Sequence, residues 1–389
     1  MTGPPNFGIY SLGFTLVLLI TCVQRSVIST PYTVYGNRLQ GRQRAEYAGS
    51  VLIHYGLLSA LAMICLALSG AVLSTGVGPP ELAPVIWVLV GVIPFVLLRE
   101  FGRRLAFSHL HMVTALVMDL AVATIQIIGL VALAASGLLS AVTAHTVVGL
   151  ACAAGGVAWL VLARTNFVVR RERVAPDIRR NWSFGRWVFA SQMISSMNVQ
   201  VIPWLLMLML DTAATGLYAA CMTVVLFSNP FVLGVANVLE PRAARAFVEG
   251  GGVGVRRVVW KGTLLLGSVM VAFCGLVVLF GGQVVSSLFG SEYTGHETTL
   301  VVLAIAKLAV ALGMGANAGV RALERPDVGF KANLLGLCLT LVIAVSLATS
   351  LGILGAAIGL LAGNVVASAV RCAVFFRMAG TTPWRRVSA

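Results

Sequence analysis

The sequence predicts an all-α, polytopic integral membrane protein, and both its composition and its charge pattern lead to this prediction. Of the 389 residues, 59% are hydrophobic and 10% are charged, and the mean hydropathy is +0.95. A water-soluble domain of this length could not cover so much apolar surface. All 27 Lys and Arg residues except Arg25 and Lys307 lie in every second gap between long apolar segments. This alternation is typical of helical membrane proteins whose basic loops remain in the cytoplasm.

Eleven apolar segments are predicted to span the membrane. Each approaches the roughly 20 residues that a helix needs to cross about 30 Å of hydrocarbon. Five of them precede the longest basic stretch of the chain, at residues 8–28, 50–73, 81–98, 112–134 and 139–162. Six follow it, at residues 187–210, 212–238, 262–285, 299–320, 330–350 and 352–370.

The basic gaps between these spans are predicted to lie on the cytoplasmic side. They hold Arg38, Arg42 and Arg44; Arg99, Arg103 and Arg104; Arg164, Arg170, Arg171, Arg173, Arg179, Arg180 and Arg186; Arg242, Arg245, Arg256, Arg257 and Lys261; Arg321, Arg325 and Lys331; and Arg371, Arg377, Arg385 and Arg386. The intervening gaps carry no cation. The N-terminus is therefore predicted to lie outside and the C-terminus in the cytoplasm. Because the cations flank spans, the net charge of +14 does not indicate a nucleic-acid partner.

An internal repeat divides the chain into two lobes. Gly8-Ile9-Tyr10 opens the first span and Gly216-Leu217-Tyr218 opens the seventh, and both copies run in the same direction. Such parallel repeats are related by an axis along the membrane normal. We predict an N-terminal lobe of five helices, a basic cytoplasmic inter-lobe loop, a C-terminal lobe of six helices and a cytoplasmic tail, at residues 1–163, 164–186, 187–378 and 379–389. A full span precedes the second copy of the motif but not the first, so one helix of a twelve-helix architecture is expected to be missing.

Three short segments resemble a known family. They are Asn6-Phe7-Gly8-Ile9-Tyr10, then Leu288-Phe289-Gly290 with Tyr293, and finally Gly352 with Gly355-Ala356-Ala357. In order and spacing they resemble the multidrug/oligosaccharidyl-lipid/polysaccharide (MOP) transporter superfamily, in its polysaccharide-exporter and Wzx-like O-antigen flippase branch. The resemblance implies two six-helix lobes around a central cavity that opens alternately to each side of the membrane.

The resemblance also implies a function. Flippases of this kind carry a polyprenyl-pyrophosphate-linked oligosaccharide from the cytoplasmic to the outer leaflet of the bacterial cytoplasmic membrane. The expected partners are this lipid-linked sugar, membrane lipids, and a polymerase and glycosyltransferases of the same pathway. No bond is made or broken, so the chain is not expected to be an enzyme, and we expect no catalytic residue, cofactor or metal.

Five polar residues inside the predicted spans are candidates for the site. A charge at the bilayer centre costs about 2.5 to 3.5 kcal/mol on insertion scales, so Arg25, Lys307 and Asp119 should face a wet cavity or a partner. By resemblance, Arg25 and Lys307 would oppose the pyrophosphate. Asp119 could pair with a cation, bind a coupling ion or hydrogen-bond a neighbouring helix. Asn198 and Gln200 could contact the sugar or join helices, as intramembrane amides often do.

Three other functions are compatible with a membrane bundle of this kind. A glycosyltransferase or polymerase acting on lipid-linked sugars would need acidic catalytic residues in sizeable outer loops, and the largest outer gap carries only Glu292, His296 and Glu297. A drug or cation antiporter of the same superfamily would favour intramembrane carboxylates, of which Asp119 is the deep one. An inactive remnant would account for the missing helix.

Overall fold

The computed structural model describes residues 3–36, 39–76, 79–109, 111–323 and 325–381. Within these ranges every regular element is a helix, which confirms the predicted all-α fold. Arg38 and most of the predicted tail at 379–389 lie outside the described residues.

Among the described residues, the first half of the chain forms five helical segments that are long and apolar enough to cross a membrane. The first combines α1 (Pro4–Gln24), a π-helical turn (Arg25–Ser29) and α2 (Thr30–Gly36), and the next three are α3 (Gly41–Ser74), α4 (Leu82–Ser108) and α5 (Met112–Ala135). The fifth combines α6 (Ala141–Ala163) with a 3-10 turn (Arg164–Asn166). The second half contains α7 (Arg171–Met209), α8 (Thr212–Leu226), α9 (Asn229–Phe289), a 3-10 turn (Ser291–Tyr293), α10 (Glu297–Ala322), α11 (Pro326–Leu351) and α12 (Ile353–Thr381).

The number of spans agrees with the sequence prediction. Nine helical segments among the described residues are long and apolar enough to cross a membrane, and two bent helix pairs raise the number to eleven when each pair is counted as one span. One bent pair is Thr212–Leu226 with Asn229–Ala236, which meet at 50°. The long helix α9 is also interrupted, because Gly250 and Gly251 have non-helical backbone angles. The chain is therefore a multi-pass membrane protein.

Several helices extend beyond the apolar windows that predicted them. The window 50–73 corresponds to α3, which already begins at Gly41, and the window 81–98 corresponds to α4, which continues to Ser108. A hydropathy window stops at the first arginine, whereas a helix keeps its backbone hydrogen bonds in the interface, where charged side chains meet water and lipid headgroups. Many arginines assigned to loops are thus on helical turns.

The stretch 164–186 is helical for most of its length, which corrects the prediction of an inter-lobe loop there. Helix α7 begins at Arg171 and also forms the span predicted at 187–210. Buried Glu46 of α3 accepts ion pairs from Arg170 at 2.9 Å and from Arg173 at 3.0 Å. Next to it, the Tyr47 hydroxyl donates to Asn181 Oδ1 at 2.7 Å. We call Glu46 with these two arginines the Glu46 clamp. Its contacts join α3 to the start of α7, and the hydropathy of either segment alone does not predict them.

The chain divides into two compact units. The described part of the first unit is residues 9–196, and its core includes Tyr47, Val51, Phe101 and Trp159. The second unit comprises Gly3–Gly8 and the chain from Met197 onward. Its largest core cluster collects residues from α7, α8, α9, α10, α11 and α12. The division falls within α7, whose residues Ile202, Leu205 and Leu206 belong to the core of the second unit.

Two glycines of the internal repeat meet in the second unit. A Cβ added to Gly8 would overlap the carbonyl oxygen of Thr212, and a Cβ added to Gly216 would overlap the carbonyl oxygen of Pro4. Each glycine thus meets the residue four positions before the other glycine. Such a reciprocal contact is expected when two equivalent helix starts are related by a two-fold axis. Only a residue without a side chain permits so close an approach of two backbones.

We predict that Gly216→Ala destabilises the protein, because its methyl group would force the starts of α1 and α8 apart. Overpacking of this kind costs about 1 to 3 kcal/mol. The measurement is the unfolding midpoint in a mixed-micelle denaturant titration. Gly275→Ala in α9 is the matched control, since an added Cβ there meets no atom within 4 Å. Equal midpoints for the two variants would contradict the glycine crossing.

Candidate functional site

Arg25 lies where the first membrane span changes its helical form. It begins the π-helical turn Arg25–Ser29, and such turns are rare and often occur at functional sites. The preceding residue, Gln24, is fully buried and its Nε2 donates to the carbonyl oxygen of Leu97 at 2.7 Å. Arg25 keeps 45% of its side chain exposed, and its Nη2 lies 3.9 Å from Glu100 Oε1. The helix is thus fixed to α4 while the guanidinium stays accessible.

Helix α7 packs against the same turn. A Cβ added to Gly185 would lie 2.9 Å from the carbonyl oxygen of Ser26 and 2.9 Å from the Cα atom of Val27. Gly185 is buried. The close approach covers the turn on one side and leaves little freedom for the backbone that carries Arg25.

Glu100 is the acceptor for several arginines of the first unit. Its side chain is 8% exposed and accepts from Arg103 at 2.8 Å and from Arg104 at 2.8 Å. These partners are three and four residues later on α4, so they lie on the same face of the helix. Arg25 approaches the same carboxylate from the π-helical turn. A single buried carboxylate therefore stabilises three cations, and the short contacts belong to Arg103 and Arg104.

Asp119 of α5 forms an ion pair with Arg99 of α4. A second oxygen of the carboxylate lies 3.8 Å from Arg103 Nη1. Of the three roles considered for Asp119 in the sequence, the structure shows the pairing with a cation. Because Arg103 contacts both Asp119 and Glu100, these carboxylates and the arginines 25, 99, 103 and 104 form one network, which we call the α4 charge network. Four arginines against two carboxylates leave it with two positive charges in excess.

Lys307 occupies a different kind of environment in the second unit. It is half-buried near the middle of α10. Among the described residues it has neither an ion-pair partner nor a hydrogen-bond partner. It shares one helical face with Val310, Met314, Asn317 and Arg321, which follow at spacings of three and four. A half-buried ammonium without a counter-charge is costly in a membrane and is suited to receive an anion.

The two amide candidates differ in their contacts. Asn198 Nδ2 donates to Asn364 Oδ1 at 2.8 Å, and Thr340 Oγ1 donates to Asn198 Oδ1 at 2.9 Å. Asn198 therefore joins α7, α11 and α12, as the helix-joining alternative predicts, and a contact with the sugar stays a prediction. Gln200 is half-buried and has no hydrogen-bond partner among the described residues. Its amide remains available.

The structure places the candidates in two separate groups. Arg25 and Asp119 belong to the α4 charge network of the first unit, and Lys307, Asn198 and Gln200 belong to the second unit. Sequence reasoning missed Glu100, although its spacing to Arg103 and Arg104 is a recognisable helical signal. The predicted span ended at residue 98, and the three residues were therefore read as part of a loop.

No group of three or more His, Cys, Asp or Glu side chains in the described part of the chain is arranged to hold a metal ion.

Comparison with known sequences gives one family and one curated relative. A family model described as "Polysaccharide biosynthesis protein" matches residues 1–247. A "Probable low-salt glycan biosynthesis flippase Agl15" from Haloferax volcanii is 32% identical over 90 residues. That alignment covers 23% of this chain and 19% of the relative, so the chain matches well under two thirds of the relative's length.

Comparison with solved structures shows the fold. An inward-facing multidrug resistance MATE family transporter of the MOP superfamily has a TM-score of 0.82 at 16% identity, covering 100% of this chain and 93% of that one. The lipid II flippase MurJ in an inward closed conformation has a TM-score of 0.77 at 11% identity, covering 95% of this chain and 84% of that one. Both share the arrangement of helices described above.

We predict that Glu100→Gln destabilises the first unit by about 3 kcal/mol. This is the low end of the range for breaking a buried ion pair, because the arginines keep part of their hydration. The measurement is the unfolding midpoint in detergent. Glu249→Gln is the matched control, since Glu249 forms an exposed pair with Arg245 at 3.1 Å and such pairs contribute at most about 1 kcal/mol. A loss no larger than that of the control would argue against Glu100 as the centre of the network.

Proposed function

Because this chain belongs to the polysaccharide biosynthesis protein family and has the fold of the MOP superfamily, we propose that it flips a polyprenyl-pyrophosphate-linked oligosaccharide. The lipid-linked sugar would move from the cytoplasmic to the outer leaflet of a bacterial cytoplasmic membrane, for polysaccharide biosynthesis and export. The observation that carries this proposal is Lys307, a half-buried cation in mid-span without a partner among the described residues.

The chemistry of the cargo explains the need for such a cation. A pyrophosphate that leaves water loses its hydration, and the loss must be offset by charge or hydrogen bonds from the protein. Lys307 offers three N–H donors that are not engaged within the described part of the chain. Arg25 is the second candidate, because its exposed guanidinium lies 3.9 Å from Glu100 and provides a planar fork for phosphate oxygens. The Gln200 amide, which has no hydrogen-bond partner among the described residues, could bind sugar hydroxyls.

Transport would proceed by alternating access. The anionic head enters a cationic cavity while the polyprenyl tail stays in lipid, and a change between inward-open and outward-open states exposes the head on the other side. The N-terminus would lie outside and the C-terminus in the cytoplasm. A polymerase and glycosyltransferases of the same pathway would use and supply the lipid-linked sugar.

A drug or cation antiporter of the same superfamily is the second candidate, and the likeness to a multidrug MATE transporter favours it. An antiporter exchanges its substrate against a proton or cation, which requires an intramembrane carboxylate that is free to bind one. Glu100 and Asp119 both accept ion pairs from arginines of α4. This pairing favours the anionic cargo over the cationic one.

We predict that Lys307→Ala lowers the flipping rate in proteoliposomes at least tenfold, because a hydrogen bond to a charged group is worth about 1.5 to 3 kcal/mol. Lys307→Arg should restore most of the rate, since it restores the charge. Lys331→Ala is the control: Lys331 is an exposed lysine that lies 3.6 Å from Asp327. Unchanged flipping by both Lys307→Ala and Arg25→Ala would reject the role of the cations. Drug export without flipping would support the antiporter.

We further predict the membrane sidedness of two positions in a cysteine-free background. A cysteine at Gly137, in the exposed turn between α5 and α6, should react with an impermeant maleimide in intact cells. A cysteine at Glu172, near the start of α7, should react only after permeabilisation. The reverse pattern would overturn the orientation and hence the direction of transport.

A further inference from the structure

A cavity of 580 Å³ opens at one end of the first unit, where the ends of α2, α4 and α6 meet the starts of α3 and α5. The volume is within the range of sites that bind small molecules. All of its lining residues belong to the first unit. It is separate from Arg25 and from Lys307, and neither residue lines it.

The lining of this cavity is basic. It includes Arg42, Arg44, His109 and His111, and none of the described lining residues is acidic. Arg42 is engaged by Glu46, which lies 3.2 Å away outside the cavity lining. The positive charge that faces the cavity is therefore mainly that of Arg44, and the two histidine rings lie beside it.

These basic groups are held in place by a buried tyrosine. Arg44 donates a hydrogen bond to Tyr32, and the Tyr32 hydroxyl lies 3.0 Å from His109 Nε2. The hydroxyl proton can be donated to Nε2, which leaves the N–H of His109 on Nδ1. The rings of His109 and His111 meet edge to face at 5.9 Å. Tyr32 thus fixes the positions of Arg44 and His109 beside the cavity.

The electrostatics of His109 favour the binding of an anion in the cavity. Partial burial, together with the positive charge of Arg44 and the neighbouring His111, lowers the pKa of the His109 imidazole. A bound anion would offset all three effects at once. Phosphate groups suit such a site because they accept several charge-assisted hydrogen bonds from arginine and histidine.

The rest of the wall is suited to a polar ring. Trp159 and Phe167 line the cavity with their rings edge to face at 6.0 Å. Thr114, Thr165 and Asn166 add hydroxyl and amide groups that can donate and accept hydrogen bonds. An aromatic wall beside such groups fits the alternating apolar faces and hydroxyls of a sugar.

We propose that this cavity binds the phosphate of a phosphorylated sugar, with Arg44, His109 and His111 around the phosphate and Trp159 and Asn166 beside the sugar. The ligand chemistry is the same whether the phosphate belongs to a soluble sugar phosphate or to a polyprenyl lipid headgroup. Binding at this cavity is separate from the proposed transport function, because it can be measured without any transport.

The test has two arms on the purified full chain. In the first, glucose 1-phosphate is titrated by calorimetry in phosphate-free detergent buffer, and saturable binding with a Kd below about 1 mM is expected. In the second, polyprenyl monophosphate is added to nanodiscs and the amount that co-purifies with the protein is measured by mass spectrometry. Binding in the first arm identifies the soluble source, and binding in the second arm alone identifies the lipid.

Three variants connect binding to the cavity. Arg44→Gln and His109→Gln should weaken binding at least tenfold in the arm where it occurs. Asn166→Asp should do the same by adding a negative charge, and because Asn166 is exposed, this variant keeps the test valid if the other two fail to fold. Arg245→Gln, which removes an exposed arginine of the second unit, is the matched control and should bind normally. No binding in either arm, or binding that Asn166→Asp leaves unchanged, would overturn the proposal.

Discussion

Compensation of charge within a low-dielectric environment governs the arrangement of the first unit. Removing an ion from water costs several kcal/mol, and only close partners with good geometry offset that cost. Each of three carboxylates there, Glu46, Glu100 and Asp119, meets at least two arginines. The pairs connect α3 to the start of α7, α4 to α5, and the π-helical turn to α4. Charged residues that would be costly in a membrane without partners thus stabilise the contacts between helix ends.

The second unit handles its intramembrane polar groups differently. Its helices α7, α11 and α12 are joined by neutral amide and hydroxyl groups around Asn198, while Lys307 stands without a counter-charge among the described residues. Charged residues that are fully engaged in ion pairs stabilise a structure but have little capacity left for a ligand. For the proposed anionic cargo, the best-placed cation is therefore Lys307 of the second unit, and the first unit contributes Arg25, which lies 3.9 Å from the Glu100 carboxylate.

The sequence predicted the parts of this fold that depend on local composition. Hydropathy located the spans, because each must match the thickness of the hydrocarbon core, and it identified Arg25, Lys307 and Asp119 as unusual. It did not predict the Glu46 clamp or the partners of Asn198, because these contacts join residues that lie far apart in the chain. Such contacts depend on which helices become neighbours. Glu100 differs from these residues, because its partners Arg103 and Arg104 are only three and four residues away. The predicted span ends at residue 98, so this spacing was not recognised as helical.

The two halves of the chain share the packing of Gly8 and Gly216 but differ in the distribution of charge. Gly8 and Gly216 occupy matching places and exclude side chains for the same reason, so the repeat persists where two backbones must approach closely. Among the described residues, the carboxylates that neutralise arginines in the first unit have no counterpart beside Lys307. Close backbone approach requires glycine at both equivalent positions, whereas it places no requirement on the charges of the two units. The proposed anionic cargo would need a positive charge that is not already neutralised, and Lys307 of the second unit meets this requirement within the described part of the chain.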